Sequence, residues 1–252
     1  MTRAKDDLLQ FDGRAAPLIG TSPPAHVRNA RKPLASQARA TAAARHRDDP
    51  VLYRVSKRLF DLVVGSMMLL IAAPIIVVAA VWIRLDSRGS PLFFQTRLGR
   101  HGRPFRICKL RGMYIDARER HPELYDYSHN HNLDFQFHYD HDPRVTKAGH
   151  LFRRTSIDEL PNLWNVVVGQ MSLVGPRPEI PDLLAMYGDH CDEYLSVKPG
   201  ITCRSKITGR DALTKRETLE LDLQYIRHRG FSEDLSILWK TFLSVVSRRD
   251  VY

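Results

Sequence analysis

The sequence predicts an α+β, mostly helical protein: a re-entrant membrane helix–break–helix, then a globular domain with a small β-hairpin and amphipathic interfacial helices. Three observations predict it. Leu62 to Ile83 run as LVVGSMMLLIAAPIIVVAAVWI without a charge. Apolar runs between 91 and 113 are split by Gly-Arg turns. The C-terminal third carries apolar residues at helical spacing.

Residues 1–53 come first. Positions 1–50 hold eleven Ala, five Pro, and nine Lys and Arg against five Asp, with few large apolar groups. Too little apolar surface is present to offset the entropy of ordering, so the segment reads as a disordered, weakly basic tail. No apolar stretch follows the first charges, unlike a secretory signal.

Residues 54–88 read as the membrane element. Twenty-two uncharged residues form a helix of about 33 Å, enough to reach across a hydrocarbon core. Pro74 lies near its middle, removes one backbone donor and clashes with the carbonyl of Leu70, so the helix is expected to bend sharply or break there. Both flanks are basic: Arg54, Lys57 and Arg58 before, Arg84 and Arg88 after. Lys and Arg mark the cytoplasmic side, and a helix that enters and returns keeps both clusters there. A kinked but complete span is the alternative.

Residues 89–252 read as a globular domain on the cytoplasmic side. PLFFQTRLGRHGRPFRICKLRGM (91–113) suggests a hairpin, 114–126 a polar helix, and 127–142 a loop. Leu160–Val168 suggests a short helix ended by Gly169. Helices are expected over 217–228 and 235–247, the last with a stripe of Leu235, Leu238, Trp239, Phe242 and Val246.

Composition narrows the chemistry. The formal net charge of +10 in 252 residues favours acidic partners such as anionic lipid or phosphorylated substrates. No nucleic-acid-binding motif accompanies that charge, and none is expected to bind. Three scattered cysteines with no CxxC exclude a disulfide framework and a cysteine-built zinc site. No P-loop, GxGxxG or GxSxG is present.

The densest polar constellation runs from Asp142-Pro143-Arg144 through Arg153-Arg154-Thr155-Ser156-Ile157-Asp158-Glu159-Leu160-Pro161 to Gly175-Pro176-Arg177-Pro178. Ser156 with Glu159 matches a capping box, but Pro161 then falls where an N–H is needed. A helix starting at Asp158 puts Pro161 in the first turn, and neighbouring arginines are expected to keep Asp158 ionised. An ionised Asp is a possible nucleophile toward phosphorus, and Glu159 a possible Mg²⁺ ligand. Arg144, Arg153, Arg154 and Arg177 have the donor geometry for phosphate, and Lys109 and Arg111 could reach it from the hairpin. Spacing alone leaves capping, surface ion pairing and catalysis all open. His129, His131, His138 and His141 with Asp134, Asp140 and Asp142 fit a solvated loop better than a metal site.

The chain resembles the bacterial sugar transferases, the monotopic polyprenyl-phosphate phosphoglycosyl transferases, over roughly 54–252. The resemblance is carried by KRLFDLVVGSMMLLIAAPI (57–75), GRPFRICKLRGM (102–113), DPRVTKAGHLFRRTSIDELPNLWNVVVGQMSLVGPRPE (142–179), VKPGITCRSKITGR (197–210) and ELDLQYI (220–226). It implies an enzyme of the bacterial inner membrane, its catalytic domain facing the cytoplasm. It implies transfer of a sugar-1-phosphate from a UDP-sugar to undecaprenyl phosphate, with release of UMP, to start an exopolysaccharide or other surface glycan. Asp158 then matches the family's nucleophile, which forms a covalent phosphosugar intermediate, and Glu159 its Mg²⁺ ligand. Arg153, Arg177 and Lys109 match further motif positions, and Pro74 the proline of the re-entrant helix. A non-catalytic, membrane-anchored basic adaptor is the alternative. The sequence departs from the family pattern at Ala73, at KLRGM and at Cys203-Arg204-Ser205-Lys206.

Overall fold

The computed structural model describes residues 49–125, 133–134, 142–209 and 212–247. Residues 1–48 of the expected tail, together with His129, His131, His138, Asp140 and His141, lie outside them.

Helix α1 (Val51–Asp86) is 36 residues long. It starts three residues before the expected membrane element. Pro74 lies inside it, and helix continues on both sides. The expected helix–break–helix is therefore corrected to one helix containing a proline. Both halves are held against the same body, which keeps the flanking residues helical although one hydrogen bond is lost.

The contacts of α1 run its whole length. Near its start, Tyr53 and Lys57 reach Asp234 at 3.0 and 2.7 Å. Arg58 donates to the carbonyls of Val166 and Val167, both at 2.7 Å, capping the end of a short helix. Asp61 is buried and accepts from the Ser172 hydroxyl and the Leu173 amide. Gly65 and Ala72 admit close packing against the main core. Ala79 and Ile83 join a second cluster with Leu110, Ala148 and Phe152. At its end, the Asp86 carboxylate accepts from the Ala148 amide. The opposite face leaves Leu70, Ile71, Val77 and Val78 exposed. Small residues thus face protein and large aliphatic ones face outward.

The hairpin forms as expected, with β1 (Leu92–Leu98) antiparallel to β2 (Pro104–Leu110) and Phe93 opposite Lys109. His101 and Gly102 take positive φ in its turn. The polar stretch after it is not one helix. It yields α2 (Ala117–Arg120) and a 3-10 turn, Pro122–Tyr125, because Pro122 cannot continue the hydrogen-bond ladder.

Helix α3 (Lys147–Thr155) is capped by Thr146, whose side chain accepts from the Gly149 amide. A 3-10 turn, Ile157–Asn162, leads into α4 (Leu163–Val167). Strand β3 (Ser172–Val174) pairs in parallel with β4 (Gly200–Thr202). Between them lie α5 (Pro181–Leu184) and α6 (Cys191–Tyr194). Then come α7 (Arg204–Thr208), α8 (Lys215–His228) and α9 (Phe231–Ser247). Helix α8 opens on a full capping box of Thr214 and Glu217.

Gly149 brings α3 onto the end of the hairpin. A Cβ there would stand 2.0 Å from the Gly112 carbonyl oxygen, a backbone atom with no room to yield. Gly149→Ala should therefore cost about 3 kcal/mol or more, as overpacking at a buried backbone contact does. A fall in the chemical denaturation midpoint with unchanged slope checks it, and an unshifted midpoint would contradict the packing.

Candidate active site

Asp158 and Glu159 sit on the 3-10 turn Ile157–Asn162 rather than at the start of an α-helix. The helix expected from Asp158 begins instead at Leu163. Ser156, in the left-handed region at φ 56°, makes the bend between α3 and this turn, and its side chain does not cap it. The capping-box reading of Ser156 and Glu159 is thereby excluded.

Two asparagines fasten the turn to β2. The Asn162 side-chain oxygen accepts from the Cys108 amide at 3.1 Å, and the Asn165 amide donates to the Arg106 carbonyl at 2.8 Å. This docking brings Lys109 to Glu159: its ammonium donates to Oε1 at 3.0 Å. From the other side Lys206, on α7, donates to Oε2 at 2.6 Å. Each Glu159 oxygen therefore faces an ammonium. The three side chains are 16–20% exposed, so water screens them little.

The electrostatics separate the two carboxyls. Burial alone would push Glu159 up, but Lys109, Lys206 and Arg177 hold it well below the usual carboxylate range. Asp158 goes the other way. Burial and the adjacent Glu159 push its carboxyl up, against the pull of Lys109, Lys206 and Arg153. Arg153 is the arginine among these neighbours, and its pull, with those of the two lysines, is outweighed by desolvation and the adjacent like charge. Burial also pushes the Lys109 ammonium down, opposed by Glu159.

Arg177 follows β3 in the Gly-Pro-Arg-Pro turn and lines a small cleft with Lys109, Glu159, Asn162 and Lys206. Its backbone is held by Asp222 of α8. The Asp222 carboxylate accepts from the Arg177 amide at 3.3 Å, the Tyr194 hydroxyl at 3.2 Å and the Ser205 hydroxyl at 2.9 Å. Asp222 is fully buried, and burial lifts its carboxyl to about 6 despite these donors. One side chain thus brackets the loop that carries Arg177 and the helix that carries Lys206.

The other expected phosphate ligands divide. Arg153 lies 3.8 Å from Asp142 and within electrostatic reach of Asp158. Arg144 is buried, paired with both Asp142 oxygens at 2.8 Å and placed over the Tyr125 ring. It acts as a prop for Asp142. Arg111 is a correction. It donates to the carbonyls of Ser87 and Arg88 and to the Ser87 hydroxyl, closing the carbonyl end of α1. Arg154 is a second: successive side chains on α3 point about 100° apart, so it is exposed, with no ion pair to the carboxylates. Asp134 pairs with Arg216 at 2.7 Å, and with Asp142 also committed, neither described acid of the His-rich segment is disposed toward a metal.

Sequence reading missed Asp222 and the function of Lys206. Lys206 stood out as a departure from the family pattern, but only folding shows what it faces. Mg²⁺ takes one or two carboxylates plus substrate phosphate. As the side chains stand, Glu159 does not fit as its ligand, because both oxygens already hold ammonium groups. Among the described residues no group of three or more metal-ligating side chains exists.

Fold and site together define the class. Residues 52–248 match the bacterial sugar transferase family, and the chain belongs to it. It is 38% identical over 199 residues to the UDP-galactose-lipid carrier transferase of Erwinia amylovora. It is 38% identical over 200 residues to the undecaprenyl-phosphate galactose phosphotransferase of Salmonella typhimurium. Each alignment covers 78% of this chain but only 41% of the relative. The exopolysaccharide production protein ExoY of Rhizobium meliloti is 32% identical over 200 residues, with 88% of its length covered.

Removing the Asp222 carboxylate takes the acceptor from the Arg177 amide and the Ser205 hydroxyl, while the Tyr194 hydroxyl keeps the Arg177 carbonyl at 2.8 Å. Asp222→Ala should lower stability by about 3 kcal/mol, read as a lower melting temperature. It should also loosen Arg177 and Lys206. Asp222→Asn, keeping one acceptor oxygen, should lose less; equal melting of all three proteins would remove the bracket.

Proposed function

We propose that this protein transfers a sugar-1-phosphate from a UDP-sugar to undecaprenyl phosphate at the cytoplasmic membrane face, the first step in assembling an exopolysaccharide or other surface glycan. The observation that carries the proposal is the Asp158–Glu159 pair: two adjacent, mostly desolvated carboxyls ringed by Lys109, Lys206, Arg177 and Arg153. Such a ring accepts a diphosphate and offsets the repulsion between it and an attacking anion.

Asp158 is the nucleophile. Its carboxylate attacks the sugar-linked phosphorus, the bond from that phosphorus to the bridging oxygen breaks, and UMP leaves with that electron pair. A phosphate oxygen of undecaprenyl phosphate then attacks the same phosphorus, and the Asp158–phosphorus bond breaks to restore the carboxylate. The two anionic substrates thus never have to occupy the site together, because UMP can leave before the lipid phosphate attacks. Glu159, pinned by two lysines, stays ionised beside it. Arg177, braced by Asp222, supplies a fork for phosphate oxygens, and the Arg153 charge faces the leaving group.

The same reading embeds α1 in the cytoplasmic leaflet, bent at Pro74, without crossing. A straight crossing needs about 20 consecutive residues clear of the aqueous domain. Here Asp61, Gly65, Ala72, Ala79 and Ile83 are buried along one face, and Tyr53 and Asp86 at opposite ends bind the same body. Trp239, Phe242 and Leu243 on α9 and Phe93 and Phe94 on β1 are exposed apolar groups suited to the headgroup boundary.

Asp158→Asn should lower lipid diphosphate sugar formation by a factor of about 1,000 or more while the protein stays in the membrane. Radiolabelled donor and isolated membranes measure it, and mass spectrometry of trapped wild-type protein should place the phosphosugar on Asp158. Full activity in that variant would favour the adaptor reading. For topology, cysteines replacing Arg54 and Leu85 should both resist an impermeant thiol reagent applied to intact cells and both react in inverted vesicles. Reaction of either one from outside would show a crossing helix.

A further inference from the structure

The cation at Glu159 is the protein's own. Lys206 reaches Oε2 at 2.6 Å, and its ammonium lies against the Ile201 carbonyl at 3.4 Å. Its base is fixed, because the neighbouring Ser205 hydroxyl is bound to buried Asp222. Lys109 occupies Oε1 from the opposite side. Lys109, Lys206, Arg177 and Arg153 thus act on two carboxyls, which leaves an excess of positive charge around them. A divalent ion added to this arrangement would be repelled and would find no free oxygen on Glu159.

We propose that Lys206 is a built-in counter-ion that keeps a divalent cation off Glu159, its ammonium standing where such an ion would bind Oε2. The inference rests on the proposed reading of Glu159 as the carboxylate beside the nucleophile. Its test needs no turnover, so the two can fail separately.

The test is a titration of the full chain in detergent with Mn²⁺ and no nucleotide, following the free aqueous ion by electron paramagnetic resonance. Wild-type protein and Lys206→Arg should bind weakly. Lys206→Gln and, keeping the aliphatic stem, Lys206→Met should bind at least about tenfold more tightly, a gain of about 1.4 kcal/mol. The gain should vanish in Lys206→Gln/Glu159→Gln, and melting curves establish that each variant is folded. Equal Mn²⁺ affinity in wild type and both neutral variants would overturn the proposal. So would a gain that persists without Glu159.

Discussion

Two neighbouring carboxyls, Asp158 and Glu159, sit mostly out of water, and the surrounding structure has to compensate them. A buried charge without partners costs several kcal/mol. The fold meets that cost by converging cations from four separate places: Lys109 from β2, Arg153 from α3, Arg177 from the turn after β3, and Lys206 from α7. None of these elements packs well alone. β3 and β4 have three residues each, and α7 has five. Their positions depend on polar brackets, chiefly Asn162 and Asn165 on the hairpin side and Asp222 on the helical side. The result separates two chemically similar groups. Glu159 is locked as an anion by direct ammonium contacts. Asp158 has burial and a like charge pushing its carboxyl the other way.

The second organising element is α1, which is both apolar surface and scaffold. Its protein-facing side combines small residues with a few polar anchors, so the domain closes on it tightly. Asp234 gathers Tyr53, Lys57 and Tyr225, tying the start of α1 to α8 and α9. Arg111 and Asp86 tie its far end to the hairpin and α3. A helix so held fixes the carboxyl pair relative to the exposed apolar face of α1, which is what the proposed reaction between a lipid phosphate and a soluble nucleotide sugar requires.

Local pattern made several parts legible. The hairpin followed from its Gly-Arg punctuation, and α8 from its helical spacing, whereas its Thr-Glu capping box shows only in the fold. The apolar run of α1 was plain. Proline removes one hydrogen bond, and packing on both flanks holds the helix through Pro74. The polar stretch after the hairpin holds less helix than its composition suggests, because Pro122 cannot continue the hydrogen-bond ladder. The arginines were the hardest to sort. Arg111, Arg144, Arg153 and Arg177 look alike in sequence, yet one closes a helix end, one props an aspartate and two face the carboxyl pair.

The chain's own order of residues therefore determined the long apolar helix, the hairpin, the family and the Asp-Glu pair, since each is written in contiguous residues. Only the tertiary structure decided which cations serve that pair. Lys109 and Lys206 are far apart along the chain and meet across Glu159 because β2 and α7 approach it from opposite sides. Electrostatic partnership depends on distance in space and on exclusion of water, and neither is carried by local spacing.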